Sequence, residues 1–127
     1  MVNKTSRSDP VIAVIISTTR KRQLLEVAIP SVFSQSKTPN IVYIVADSDD
    51  NLPIDEIQGL NSRNIRIKCI LNQREKNLSG AMNTVFSEML ADGCDPEDTF
   101  IAILDDDDWW EKNYLESCTT LSSSTIS

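Results

Sequence analysis

Three stretches of this 127-residue chain are apolar with almost no interruption: Val11 to Ile16, Ile41 to Ala46 around Tyr43, and Phe100 to Leu104. A strand apolar on both faces must be covered on both faces, and parallel sheets obtain that cover from the helices that connect their strands. The intervening segments supply the helices. Leu24, Leu25, Ala28, Ile29, Val32 and Phe33 recur at helical spacing, as do Ala81, Val85, Phe86, Met89 and Leu90, with Gly93 placed to end the second helix. Pro30 predicts a kink in the first. Shorter helices are predicted over Ile54 to Leu60 and from Glu111 to about Leu121, ahead of a frayed tail at 122–127. Ile65 to Leu71 alternates over its first five residues, which predicts a strand near a sheet edge with one wet face.

The resulting β-α-β-α-β-α-β-α order predicts one α/β domain over 1–127, a three-layer Rossmann-like sandwich around a mainly parallel sheet of strand order 3-2-1-4, with residues 1–10 as a polar extension. The ligand crevice then falls between strands 1 and 4. Strand 4 becomes an edge, yet Phe100 to Leu104 carries no charge, proline or bulge to protect it. This predicts either self-association through strand 4 or a domain that continues past residue 127.

Composition narrows the function. A formal net charge of -7 and a pI near 4.5 give a surface that repels a phosphate backbone, so nucleic acid is not expected as a partner. The polar start lacks an apolar leader core, and no segment approaches the ~20 apolar residues of a membrane span, which predicts a cytoplasmic protein, free or at the cytoplasmic face of a membrane. Cys69, Cys94 and Cys118 are too scattered for a zinc or redox pair. The chain has no histidine, so acid-base chemistry falls to carboxylates.

The carboxylates are concentrated where strand 4 ends. Asp105, Asp106, Asp107 and Asp108 follow the apolar run directly and precede Trp109 and Trp110. Four such groups cannot all stay ionised without compensation, and a divalent cation held by oxygen ligands is the usual source of it; the plain alternative is a solvated acidic turn. Three other loops are candidates. Ser17, Thr18, Thr19, Arg20, Lys21 and Arg22 follow strand 1 and mix hydroxyls with base, which suits either phosphate contacts or simple N-capping. Asp47, in the turn Asp47-Ser48-Asp49-Asp50-Asn51 after strand 2, is placed to accept hydrogen bonds from a nucleoside or to cap its own turn. Asn77-Leu78-Ser79-Gly80 opens the helical segment that contains Ala81 to Leu90, where Gly80 either admits a ligand close to the backbone or simply starts a helix.

Taken in order, these loops resemble the amino-terminal half of family 2 glycosyltransferases of the GT-A fold. The opening strand, loop and helix of that family are similar to Val11 to Leu25, and its Ser-Val, Gln and Pro-Asn positions to Ser31, Val32, Gln35, Pro39 and Asn40. Asn77, Ser79, Ala81 and Asn83 resemble its helix start; Asp105, Asp107, Asp108 and Trp109 its Asp-x-Asp signature and trailing aromatic; and Tyr114-Leu115 the pair that follows. The resemblance implies a nucleotide-diphospho-sugar donor, a UDP-sugar, with Asp47 on the uracil. It implies Mn2+ or Mg2+ held by Asp105 and Asp107, with Asp108 orienting a ligand or touching the sugar. The donor-contacting set would be Ser17, Thr18, Thr19, Arg20, Lys21, Asp47, Asn77, Gly80, Asn83 and Asp106. The implied reaction is inverting transfer to an acceptor hydroxyl of a glycan, lipid or protein, as in polysaccharide biosynthesis, with the catalytic base beyond residue 127. Thr19, Arg20 and Met82 depart from the family, which usually carries an aromatic, an amide and an arginine there.

Two other classes share parts of the pattern. A receiver-type signalling module has this length and β/α order but places its acid pair directly after strand 1, where this chain has Ser17-Thr18-Thr19. A noncatalytic nucleotide- or metal-binding domain would keep the donor site without the reaction.

Overall fold

The structure, a computed structural model, describes residues 11–48, 52–75, 77–95 and 97–119. The 1–10 extension, Asp49 to Asn51, and the residues from 120 onward, including the predicted end of the last helix and the tail, lie outside the described residues.

Strands β1 (Val11–Thr18), β2 (Ile41–Ala46), β3 (Arg66–Leu71) and β4 (Thr99–Asp105) form one parallel sheet of order β3-β2-β1-β4, as predicted. The β-branched runs make the two inner strands: every residue of β2 is buried, and Ile12 to Ile16 of β1 are almost fully enclosed. Helix α1 runs through Lys21–Gln23, Leu24–Ala28 and Ile29–Phe33; α2 is Ile54–Leu60, α3 is Leu78–Ala91, and a short α4 occupies 114–119. Side chains alternate strictly between the two faces. Ile12, Val14, Ile16, Val42, Ile44, Ala102 and Leu104 pack under α1, Ile57 of α2 and Leu115 of α4. Ala13, Ile15, Tyr43 and Val45 pack under Ala81, Met82, Val85 and Met89 of α3.

The predicted kink at Pro30 takes a specific form. The middle segment of α1, Leu24–Ala28, is π-helical, and the Ile29 N–H reaches the Leu24 carbonyl five residues back. Proline lacks the next donor and its ring crowds the carbonyl four residues earlier, and a widened turn just before it relieves both constraints.

β4 differs from its sequence expectation of burial on both faces. Ala102 and Leu104 are buried, but Ile101 and Ile103 are 38% and 47% exposed. By register they share a face with Ala13 and Ile15, and α3, the described helix on that face, is centred over β1 and β2. Among the described residues no helix is long and apolar enough to cross a membrane.

At the amino-terminal end of the sheet a polar cluster pins α3. The Tyr43 hydroxyl donates to Asp92 Oδ2 at 3.1 Å and lies 3.6 Å from Cys94 Sγ, while Lys68 Nζ donates to Asp92 Oδ1 at 2.8 Å and also pairs with Glu88. The Lys68 ammonium, with help from the Tyr43 hydroxyl, holds the Asp92 carboxyl below its ordinary range against the opposing effect of burial. A depressed carboxyl contributes stability that is complete above its unfolded value of about 3.9 and is lost as pH falls through the lower folded value. Asp92→Asn is therefore expected to lose less stability than the native chain on acidification below about pH 4. Urea midpoints measured across that range check it.

Candidate functional site

β1 and β4 lie side by side with Ser17 opposite Asp105, so the loop after β1 and the acid run after β4 leave the sheet together. Asp106 joins them. Its carboxylate is 4% exposed and its Oδ2 accepts from the Thr18 hydroxyl at 3.0 Å, the Thr19 N–H at 3.0 Å and the Arg20 N–H at 2.9 Å. Arg20 Nη2 reaches the other oxygen, Oδ1, at 2.9 Å. Burial alone would raise the Asp106 carboxyl; the Thr19 N–H, the Arg20 guanidinium and the Thr18 hydroxyl outweigh it and hold the group below its ordinary value.

Both carboxylate oxygens of Asp106, which lines the cavity described below, are hydrogen-bonded to the β1 loop. The backbone N–H groups of Thr19 and Arg20 are turned inward to Asp106. A buried carboxylate needs its lone pairs satisfied, and the β1 loop supplies both N–H donors and a counter-charge.

The same Arg20 Nη2 lies 2.9 Å from Asp107 Oδ2, so one half-exposed guanidinium bridges two consecutive aspartates. The two carboxylates, Asp107 first, raise its already high pKa. Ser17 Oγ donates to Asp105 Oδ1 at 3.2 Å. Carboxylate oxygens of Asp105, Asp107 and Asp108 lie within 4.8 Å of one another and all three residues are exposed. An all-oxygen set of this kind, with no imidazole or thiolate, has the donor chemistry that Mg2+ and Mn2+ take. Trp109 follows, 63% exposed, while Trp110 stacks on Tyr114 with ring centroids 4.5 Å apart.

Beside the acids opens a cavity of about 380 Å³, lined by Ser17, Thr18, Thr19, Arg20, Val45, Asp47, Asn77, Leu78, Ala81, Asp105, Asp106 and Asp107. The carboxyl ends of β1, β2 and β4 thus meet the start of α3, where open α/β sheets bind ligands. Lys21, Gly80 and Asn83 do not line it. Lys21 opens α1, and Asn83 is exposed along α3. Gly80 serves packing: a Cβ there would sit 2.0 Å from the Glu75 carbonyl oxygen, so the close approach it permits is that of its own loop. Asn77 caps α3 by accepting the Gly80 N–H at 2.8 Å. Met82, in the place of the family's usual arginine, is core.

Two polar residues that sequence reading missed or left without a role hold the site together. Asn72, 5% exposed, donates to Asp47 Oδ1 at 3.1 Å and to the Glu75 carbonyl at 2.7 Å, and accepts from the Thr84 hydroxyl at 3.0 Å. Its position immediately past β3, with its N–H on the Ala46 carbonyl, is the signal that would have found it. Gln35, fully buried, donates to the Glu111 carbonyl at 2.6 Å and accepts the Leu115 N–H at 2.9 Å, tying the segment after the acids to the end of α1.

The comparisons agree with this architecture. Residues 13–121 match glycosyl transferase family 2, and the chain belongs to that family. It is a glycosyltransferase family 2 domain, and the receiver-type alternative is set aside. No curated protein matches the chain in sequence. Its fold is similar to the crystal structure of S. aureus TarS, at 17% identity and a TM-score of 0.64 over 89% of this chain and 19% of that one. It is similar also to TarS 1-349, at 16% identity and a TM-score of 0.63 over 89% of this chain and 32% of that one. The chain therefore spans about a fifth to a third of the length of these structures.

Because four hydrogen bonds converge on the buried Asp106, Asp106→Ala is expected to cost about 3 kcal/mol of stability, the scale of bonds to a buried charge left unmade. Asp108→Ala, exposed, is expected to stay within about 0.5 kcal/mol. Urea unfolding of the two variants checks the contrast.

Proposed function

We propose that this domain binds a nucleotide-diphospho-sugar, a UDP-sugar, together with Mn2+ or Mg2+, for inverting transfer of the sugar to an acceptor hydroxyl. The observation that carries the reading is the exposed trio Asp105, Asp107 and Asp108, two of which line a cavity that Asp47 also lines. Asp105 and Asp107, with Asp108, would hold the cation, and a bound cation would supply positive charge against the diphosphate leaving group. Asp47, oriented by Asn72, accepts a hydrogen bond from the nucleoside base. Ala81 and Val45 give the base an apolar wall, and Asn77 and Leu78 bound the cavity at the α3 start. Inverting transfer also needs a base for the acceptor hydroxyl, and we assign that role to none of the described residues.

Mn2+ and UDP are expected to raise each other's affinity, since a diphosphate that shares a cation with the protein loses a ligand when the cation leaves. Calorimetry with and without Mn2+ measures this, and unchanged metal dependence in Asp107→Ala refutes the assignment. Asp47→Asn keeps an oxygen for Asn72 but loses the charge. It is expected to weaken UDP by roughly 1.5–3 kcal/mol while leaving Mn2+-pyrophosphate binding largely intact. An equal loss for both ligands removes Asp47 from the base subsite.

A further inference from the structure

Arg20 is in an unusual position for a cation in an anion-binding cavity. Its guanidinium lines the cavity and is 52% exposed, yet one nitrogen is shared between Asp106 and Asp107 at 2.9 Å each. The two contacts are not equivalent. Asp106 is buried and keeps three other donors from the β1 loop, so it is held whether or not the guanidinium stays. Asp107 is 49% exposed and belongs to the carboxylate trio. A divalent ion approaching that trio meets a ligand already neutralised by Arg20.

We infer that Arg20 is a charge exchanged between Asp107 and the donor diphosphate: it competes with the cation for Asp107 while the cavity is empty of nucleotide, and releases Asp107 when a diphosphate enters. The inference rests on the metal and nucleotide reading proposed above. A planar guanidinium pairs better with phosphate oxygens than with a single solvated carboxylate oxygen, and the diphosphate brings more negative charge than Asp107. Movement of one long side chain, anchored at its backbone by the Arg20 N–H on Asp106, is all that is required. Each ligand then prepares the site for the other, and by linkage the coupling is reciprocal.

The test measures Mn2+ binding by electron paramagnetic resonance and calorimetry, with and without UDP, in the native chain, Arg20→Gln and Arg20→Lys. Without UDP, Arg20→Gln is expected to bind Mn2+ on the order of fivefold more tightly, the scale of one exposed ion pair. UDP is then expected to raise its Mn2+ affinity by a smaller factor than in the native chain. Arg20→Lys, which keeps the charge but spans a single carboxylate, is expected to fall between the two, and it supplies the comparison should Arg20→Gln fold poorly. Mn2+ binding without UDP that is equal or weaker in both variants overturns the inference while leaving the site reading intact. Absence of Mn2+ binding in all three chains overturns the site reading and the inference with it.

Discussion

The buried carboxylate of Asp106 is the constraint from which the site is built. β1 and β4 are neighbours because their apolar residues pair in register, but pairing alone does not fix what the chain does after each strand ends. Asp106 fixes it by drawing the Thr18 hydroxyl and two successive backbone N–H groups to one oxygen. The loop is thereby folded under the acid run, its inward groups satisfied, and Asp105, Asp107 and Asp108 are left facing outward as a set. A single residue thus separates the four-aspartate run into one buried and three exposed acids.

How far this was legible in the sequence depends on whether a position answers to periodicity or to contact. β1, β2 and the strand order followed from runs apolar on both faces, because cover on both faces admits few architectures. The same rule overreached for β4, where Ile101 and Ile103 satisfy the pattern but α3 is centred over β1 and β2. Pro30 announced a disturbance but not the π turn that absorbs it, since the register change occurs in the residues before the proline. In the site, Asp47, Ser17 and the outer aspartates stand where the loops after parallel strands had to bring them. The role of Asp106 was hidden because four identical residues in a row carry no sign of which one turns inward. Gly80 and Asn72 were hidden because their partners, the Glu75 carbonyl in both cases, lie in an irregular loop that no periodicity describes.

The two ends of the sheet divide the work. At the carboxyl end, charges of one sign are gathered beside a cavity and answered by one arginine. At the other, the Tyr43, Lys68, Glu88 and Asp92 cluster mixes signs and is satisfied within itself, locking the end of α3 to β2 and β3. Each end thus carries a buried polar network of its own: Asp106 with the β1 loop at the carboxyl end, and Asp92 with Tyr43 and Lys68 at the other.

β4 ends at Asp105 and has β1 on one side only among the described strands. An extended segment paired along its other side would lie about 4.8 Å away, and a slip of one residue in that pairing would turn every side chain to the opposite face. The backbone of the strand that presents the acids would therefore also decide which face each residue of such a segment takes.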